Sequence, residues 1–300
     1  IRMFSIGLKY MLDAKKRAVL DAIFLRTRKA LEGWPSGPMK ARIPSGGMDF
    51  LDLREYQPGD EVRHIDWKST SRSGKVLVKK FIHDQEISVL IFANTSPSMN
   101  FSTITSTKLE VMTEIATALA WITINSGNRF SLYKFSKTAE YCIRNANNEK
   151  HVLAAGAILL GGQKPKTDKS VDIWKILSGK KTPRSMVFIL SDFYEKIDPR
   201  LFSACAQKHD LHLFRILDKS EINLPDTPDI ICKHPEKFQT HLMRSSEKEF
   251  RSNYQQLFNE HENQIIELCK SNETGFLRIN TCEPYLAILV DYFNQLFHGQ

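Results

Sequence analysis

The stretch Val89-Leu90-Ile91-Phe92-Ala93-Asn94-Thr95-Ser96-Pro97-Ser98-Met99 is the part of the sequence that best predicts the fold. It opens with apolar residues and ends in a loop with serines at alternate positions. A short apolar run closed by turn-forming residues is typical of a strand buried on both faces, as in a parallel sheet. Residues 107–126 then show helical spacing. Because open α/β sheets bind ligands beyond the carboxyl ends of their strands, the loop is predicted to carry a site.

The segments after this unit alternate between strand and helix. Strands are predicted at 87–93, 129–135, 186–191 and 211–217, with a weaker one at 139–143. Helices are predicted at 107–126, 150–160, 170–178 and 198–208. A polar helix at 246–271, a strand at 276–279 and a last helix at 284–297 complete the chain. This pattern predicts an α/β fold of Rossmann type, a mainly parallel sheet with helices on both faces.

The first quarter of the chain differs from the rest. Residues 11–32 are predicted to form an amphipathic helix, and residues 48–81 an irregular or β segment rich in charges and turn residues. The predicted organisation is therefore a basic N-terminal helix and motif segment (1–86), an α/β domain (87–220) and a helical extension that completes it (221–300).

Charge is concentrated in that first quarter. The net charge is +8, and residues 1–80 carry 17 Lys and Arg against 9 Asp and Glu. A basic amphipathic helix can lie on an anionic membrane, and a basic surface can bind nucleic acid. The alternative is a helix packed on its own domain with a solvated basic face. Apolar runs are too short to span a bilayer, and five scattered cysteines indicate reduced thiols. A location in the cytoplasm, or peripheral to the inner membrane, is therefore expected.

A second strand end adds a carboxylate to the predicted site. Residues 186–191 lead directly to Asp192, and the loop before residue 170 contains Thr167. Together with Asn94, Ser96 and Ser98, these side chains form an all-oxygen set from three segments. Hard divalent cations such as Mg²⁺ prefer oxygen ligands and can take one from a partner. The sequence therefore predicts a metal site at one edge of the sheet.

The charged segment has its own motif. It runs Asp52-Leu53-Arg54-Glu55-Tyr56-Gln57-Pro58-Gly59-Asp60-Glu61-Val62-Arg63-His64-Ile65-Asp66-Trp67-Lys68 and continues through Ser71-Arg72-Ser73-Gly74. It is either a surface for a charged partner or a set of Arg–Asp pairs that braces an irregular segment. The residues singled out for these roles are Arg54, Tyr56, Gly59, Asp60, Arg63, Asp66, Trp67 and Arg72.

These motifs resemble a known family. Serines spaced as Ser96 and Ser98, with a threonine and an aspartate from later segments, are similar to the metal-ion-dependent adhesion site of von Willebrand factor A domains. The segment around Arg54 to Trp67 resembles the signature of domain-of-unknown-function family 58, whose bacterial members carry it directly before a von Willebrand A-like domain. The resemblance covers roughly residues 40–298.

Position 94 departs from the adhesion-site pattern, which begins with aspartate. Asn94 keeps an oxygen but removes a negative charge, so Mg²⁺ affinity should be weak or depend on a partner carboxylate. The alternative is a vestigial, hydrogen-bonded loop in which Ser96 and Ser98 cap the following turn.

The resemblance also implies a function. Members of the family are typically encoded beside MoxR-type AAA+ ATPases and other von Willebrand A-like proteins. This implies a non-catalytic interaction module, an adaptor or co-chaperone for a MoxR-type ATPase. The alternatives are a peripheral membrane or nucleic-acid binder acting through the basic N-terminal region, and a metal-dependent hydrolase. The hydrolase is disfavoured because the sequence shows no nucleophile–base pair, carboxylate cluster or phosphate-binding loop.

Overall fold

The computed structural model describes residues 14–31, 49–57, 65–82, 87–103, 106–136, 139–161, 172–180, 182–225, 227–228, 230–233 and 240–298. Within them, the helices are α1 (Ala14–Ala30), α2 (Trp67–Ser73), α3 (Lys108–Asn125), α4 (Glu149–Leu160), α5 (Ile173–Ser178), α6 (Pro199–Lys208), α7 (Lys219–Ile222), α8 (Lys248–Ser271) and α9 (Tyr285–His298). The strands are β1 (Asp49–Glu55), β2 (Leu77–Ile82), β3 (Ser88–Asn94), β4 (Arg129–Phe135), β5 (Ala139–Ala146), β6 (Met186–Ser191), β7 (Asp210–Leu217), β8 (Ile230–Lys233), β9 (Thr240–Met243) and β10 (Gly275–Asn280).

A six-stranded sheet in the order β5-β4-β3-β6-β7-β10 forms the centre of the described structure. Strands β4, β3, β6, β7 and β10 are parallel, and the edge strand β5 is antiparallel to β4. Numbered from β3, the strand order becomes 3-2-1-4-5-6, which is that of doubly wound nucleotide-binding sheets. The predicted mainly parallel α/β fold is confirmed, and the arrangement is consistent with a Rossmann or von Willebrand A-like fold.

Helices cover the sheet on both faces, as predicted. Along β3, the side chains of Val89, Ile91 and Ala93 join the core under α3, α4 and α9, while those of Leu90 and Phe92 join the core under α5, α6 and α8. All five are buried. An apolar residue at every position is what a strand buried on both faces requires. The same composition recurs in β6, where no residue is exposed.

Helix α1 packs against the α/β domain. Leu20 and Ile23 are buried against Ala157 and Leu160 of α4. Thr27, one helical turn after Ile23, is buried as well. The apolar face of α1 therefore covers its own domain, which favours the packed-helix interpretation over a membrane-lying one.

In addition to this apolar packing, an ion pair holds α1 on the domain. The guanidinium of Arg26 donates to both carboxylate oxygens of Glu114, at 2.9 and 2.6 Å, and the hydroxyl of Tyr285 donates to Glu114 at 2.7 Å. Glu114 lies within α3 and is buried. Hydrogen bonding to this carboxylate raises the pKa of Arg26. Because α1, α3 and α9 each supply one partner, the three helices are joined at one point.

The N-terminal motif segment forms a separate small sheet in which β1 pairs with β2 in antiparallel fashion. Strand β2 follows the motif, and α2 lies between β1 and β2 along the chain. Strands β8 and β9 form another two-stranded sheet. No described helix combines the length and apolarity needed to cross a membrane.

Candidate functional site

The candidate site lies where the strand order of the central sheet reverses. Strands β3 and β6 are neighbours there, with Ala93 paired with Leu190. Asn94 ends β3, and Ser191 ends β6 with Asp192 directly after it. The connections from β3 and from β6 leave in opposite directions at this point, which opens a crevice in doubly wound sheets. The serine loop predicted from the sequence therefore follows a strand at the crevice itself.

Asn94 bridges the two strand ends with its amide. Its Nδ2 donates to Ser191 Oγ at 3.0 Å and lies 3.4 Å from Asp192 Oδ1. Its Oδ1 accepts the backbone N–H of Ser96 at 2.8 Å. The backbone N–H can only donate, so this last contact fixes the orientation of the amide. Position 94 consequently presents hydrogen-bond donors to the carboxylate of Asp192.

The two serines continue this network. The Oγ atoms of Ser96 and Ser98 are 2.8 Å apart, and Ser98 Oγ donates to Asp192 Oδ2 at 2.7 Å. Pro97–Asn100 forms a short 3₁₀ turn that brings the two hydroxyls to the same side. Although Ser96 occupies its N-cap position, the side chain makes no capping hydrogen bond. Ser96 therefore does not cap the turn through its side chain; its hydroxyl contacts Ser98, whose hydroxyl donates to Asp192.

A lysine completes the cluster. Lys108 Nζ donates to Asp192 Oδ2 at 3.0 Å and to Glu221 Oε1 at 2.7 Å, and the Lys108 side chain is fully buried. Lys108 is the first residue of α3, whose start is fixed by a capping box between Thr107 and Glu110. Asn94, Ser96, Ser98, Lys108, Asp192 and Glu221 are called the rim below.

Glu221 reaches the rim from the far end of β7. It lies in the short helix α7, where its Oε2 accepts the backbone N–H of Asp218 at 2.8 Å. Burial raises the pKa of Glu221, and the ammonium of Lys108 acts against this shift. Asp218 accepts hydrogen bonds from Thr103 and Ser220, and although its burial has the opposite effect, these bonds lower its pKa. The end of β7 is thereby tied to the loop that follows the 3₁₀ turn.

A buried arginine supports the rim from β7. Arg215 Nε donates to the carbonyl oxygen of Asp192 at 3.2 Å, and its terminal nitrogens contact Glu262 and His261 of α8 at 3.3 and 3.2 Å. Burial lowers the pKa of Arg215, with Tyr194 and Glu262 acting in the opposite direction. Through this side chain, α8 holds the backbone at position 192.

The backbone turns sharply just after Asp192. Phe193 has a φ of 52°, in the left-handed region that aromatic residues rarely adopt. Its N–H donates to Ser191 Oγ at 3.1 Å, and its ring is buried in the core under α5, α6 and α8. The turn separates Asp192, which faces the rim, from Phe193, which faces the core. Strained backbone of this kind costs on the order of 1–3 kcal/mol and is concentrated at functional sites.

The structure brings together four of the five predicted ligands: Asn94, Ser96, Ser98 and Asp192. Thr167 lies outside the described residues. Sequence reasoning missed Lys108, Glu221 and Arg215. Two of these carried a signal in the sequence: Arg215 is a charge inside an apolar strand, and Lys108 is a cation at a helix start, where the helix dipole disfavours it.

The motif segment places several of its predicted residues in solvent. The side chain of Trp67 is 65% exposed and that of Tyr56 is 37% exposed, and Arg54 and Arg72 are exposed as well. Asp66 is the N-cap of α2 and accepts the N–H groups of Lys68 and Ser69. Gly59, Asp60 and Arg63 lie outside the described residues.

Hydrogen bonds hold the exposed part of the motif together. Tyr56 N donates to Val76 O at 2.9 Å, and Asp66 N donates to Leu77 O at 2.9 Å. The end of β1, the start of α2 and the start of β2 therefore meet. Six of the exposed residues there are called the motif face: Arg54, Tyr56, Trp67, Lys68, Arg72 and Val76. The exposed ion pair of Lys75 with Glu55 lies in the same stretch.

The central sheet and the rim at its switch point define a doubly wound α/β protein. Sequence comparison places the chain more narrowly, because the profile of the family described as "Protein of unknown function DUF58" matches residues 52–264. The chain belongs to this family, and the predicted membership is confirmed.

Mycobacterial proteins are among the relatives with sequence similarity. Uncharacterized proteins of Mycobacterium tuberculosis (Rv1480) and Mycobacterium bovis (Mb1516) are each 28% identical over 230 residues, which span 75% of this chain and 72% of theirs. Among solved structures, the BatB protein of Bacteroides thetaiotaomicron aligns with a TM-score of 0.43 and 10% identity over 70% of this chain and 98% of that one. An aerotolerance-related membrane protein of Bacteroides fragilis aligns with a TM-score of 0.42 and 11% identity over 70% and 99%.

Proposed function

We propose that this protein is a non-catalytic interaction module with a von Willebrand A-like domain, and that it acts as an adaptor or co-chaperone for a MoxR-type AAA+ ATPase. The observation that carries the proposal is the motif face. Trp67 is 65% exposed, Val76 42% and Tyr56 37%, and Arg54, Lys68 and Arg72 of the same face are exposed as well. The motif face lies within the residues that define the family.

The composition of the motif face supports binding to another protein. Single exposed aliphatic residues are common on protein surfaces, but tryptophan and tyrosine beside arginine are the residue types that dominate binding energy in interfaces. The exposed cations Arg54, Lys68 and Arg72 favour a partner whose matching surface is acidic. The MoxR-type ATPase is the partner that the family resemblance implies.

The rim offers a second face to partners. Phe101, which follows the 3₁₀ turn, is 44% exposed, and Tyr194, which follows Asp192 closely, is 47% exposed. They flank the same lysine: Lys108 N donates to Phe101 O at 3.1 Å, and Lys108 Nζ lies 5.6 Å from the centre of the Tyr194 ring. Other von Willebrand A-like proteins are candidate partners for this face.

The chemistry of the rim favours binding over catalysis. The hydroxyls of Ser96 and Ser98 contact each other, the hydroxyl of Ser98 donates to Asp192, and Asp192 is also paired with Lys108. The described residues of the rim include no imidazole that could carry a proton to or from such a hydroxyl. Polar groups that are hydrogen-bonded to one another in this way make the local surface rigid.

The test is a binding assay with a MoxR-type AAA+ ATPase. Wild-type protein should bind, and Trp67→Ala combined with Tyr56→Ala should weaken binding about 30-fold or more, as expected when interface hot spots are removed. Leu257→Ala is the matched control, because Leu257 is 66% exposed on α8, outside both faces. Phe101→Ala and Tyr194→Ala measure the contribution of the rim.

Two results would contradict the proposal. One is wild-type protein that does not bind the ATPase. The other is binding unaffected by variants of either face. Capture by anionic vesicles or nucleic acid instead, lost at high salt, would move the function to the basic N-terminal quarter.

A further inference from the structure

The resemblance to adhesion sites implies a divalent cation at the rim, and the geometry tests whether the residues fit one. A cation such as Mg²⁺ needs several oxygen lone pairs aimed at a common point. Here Asp192 Oδ2 already accepts from Ser98 Oγ at 2.7 Å and from Lys108 Nζ at 3.0 Å. Asp192 Oδ1 faces the amide nitrogen of Asn94 at 3.4 Å. The carboxylate is thus surrounded by hydrogen-bond donors, and the rim residues do not fit a divalent ion.

The side chain at position 94 does not fit a divalent cation either. A metal ligand would have to offer an oxygen to the rim, but the oxygen of Asn94 accepts the Ser96 N–H at 2.8 Å. The amide nitrogen is the atom that faces Asp192. Asparagine at this position is therefore matched to a carboxylate that is already neutralised.

The neutralising charge comes from Lys108. Its side chain is fully buried and contacts two carboxylates, those of Asp192 and Glu221. A buried ammonium is very costly unless it is paired, and the amino end of a helix disfavours a cation. A lysine at this position therefore does not stabilise α3 by itself. Its presence is explained by its pairing with the two carboxylates.

We infer that the ammonium of Lys108 is a built-in cation that takes the place of the divalent ion at the rim. The rim consequently keeps its arrangement in the absence of metal. This inference goes beyond the proposed function and does not depend on the identity of any partner.

The first experiment uses the intact wild-type chain with Mn²⁺ as the probe. Electron paramagnetic resonance reports how much Mn²⁺ remains free, and thermal unfolding is followed in Mg²⁺ and in chelator. Wild-type protein should show no Mn²⁺ binding that depends on Asp192 and no shift of its melting temperature between the two conditions. Mn²⁺ binding that disappears in Asp192→Asn would overturn the inference, and this result needs no variant of Lys108.

The second experiment removes the built-in cation. Asn94→Asp combined with Lys108→Met restores a carboxylate and frees the position of the ammonium. Mn²⁺ affinity should rise at least about tenfold over wild type, since ligand charge tunes such sites. Mg²⁺ should also raise the melting temperature of this variant, and adding Asp192→Asn should abolish both effects. A folded double variant with wild-type indifference to both ions would overturn the inference.

Lys134→Met is the matched control. Lys134 is also a buried lysine, and its Nζ lies 3.2 Å from Glu140. Its removal should lower stability without creating any response to Mg²⁺. Lys108→Arg keeps the charge and should remain insensitive to metal. Because these assays contain no ATPase, their outcome is independent of whether the proposed partner binds.

Discussion

His209, at the end of α6, is a buried imidazole whose two nitrogens have opposite roles. Its Nδ1 accepts the backbone N–H of Ser185 at 3.2 Å, and its Nε2 lies 2.9 Å from the carbonyl oxygen of Leu177. Because an N–H group can only donate, Nδ1 carries no proton, and Nε2 is the donor. Burial lowers the pKa of His209, with the charge of Lys208 acting in the same direction. The fold therefore selects the neutral ring.

This arrangement predicts a loss of stability in mild acid. The unfolded chain binds a proton at His209 at a higher pH than the folded protein does, so stability is fully present above the unfolded pKa of about 6.5 and is lost as pH falls from there towards the folded pKa. Urea unfolding of wild type should show a falling free energy of unfolding over this range. His209→Gln should remove that part of the slope.

His151→Gln is the control for the pH series, because His151 is exposed near the start of α4. It should retain the wild-type slope. Equal slopes in wild type and His209→Gln would show that another group causes any acid sensitivity.

Single residues differ in how far they could be predicted. Ser96, Ser98 and Asp192 follow strand ends, and parallel strands bring their carboxyl ends to one edge, so the sequence order was sufficient to bring them together. Lys108 could not be assigned in the same way. Its role depends on two carboxylates, one of them from the distant helix α7, and no periodicity links position 108 to position 221.

At the scale of elements, the helix α1 depends on a charge that it supplies to the core. Glu114 is 1% exposed in its side chain, whereas that of Arg26 is 57% exposed, so most of the desolvation cost falls on the carboxylate. Among the residues that the structure describes, Tyr285 would then be the hydrogen-bond donor left to the Glu114 carboxylate if Arg26 were removed. A buried carboxylate with too few donors is strongly destabilising.

Arg26→Ala should therefore lower the free energy of unfolding by about 1–3 kcal/mol. Arg28→Ala, an exposed change on the same helix, should alter it by no more than about 0.5 kcal/mol. Chemical denaturation followed by circular dichroism measures both. Equal effects of the two variants would mean that the Arg26–Glu114 pair does not hold α1 in place.

Elements with a strong local pattern matched their predictions. The bounds of β4 and β6 were predicted: β6 is a nearly continuous apolar run, and β4 begins after the turn residues Gly127 and Asn128 and interleaves apolar with polar residues. Within the segment predicted as irregular or β, strand β1 and helix α2 were not assigned as separate elements. Their sequences, Asp49–Glu55 and Trp67–Ser73, are rich in charges or in serine, and α2 is defined by the cap at Asp66 and the left-handed Gly74 that ends it.

At the scale of the molecule, the described α/β fold extends beyond the family-matched residues 52–264 on both sides. Strand β10 continues the sheet beside β7, and Phe293 of α9 packs on Phe188 with ring centres 5.8 Å apart. Helix α1 contributes Arg26 from the other end. The family match therefore covers less than the folded unit.

A fragment of residues 52–264 should accordingly fail to fold. It would lose α1, β10 and α9, expose the core around Phe188, and leave Glu114 without two of its donors. We expect low soluble yield, binding of hydrophobic dyes and no cooperative thermal transition, against a cooperative transition for the full chain. A monomeric fragment with cooperative unfolding would show that the core tolerates the loss of these elements.

The burial of Lys108 also means that it should react differently with chemical reagents from the exposed lysines of this protein. Amine-reactive cross-linkers need an accessible amine, whereas Lys108 is fully buried and held between Asp192 and Glu221. Lys68 and Lys75, beside Trp67 and Val76, lie open to solvent. In cross-linking mass spectrometry of any complex, Lys108 should form no cross-links. Cross-links at Lys68 and Lys75 would report a partner bound at the motif face.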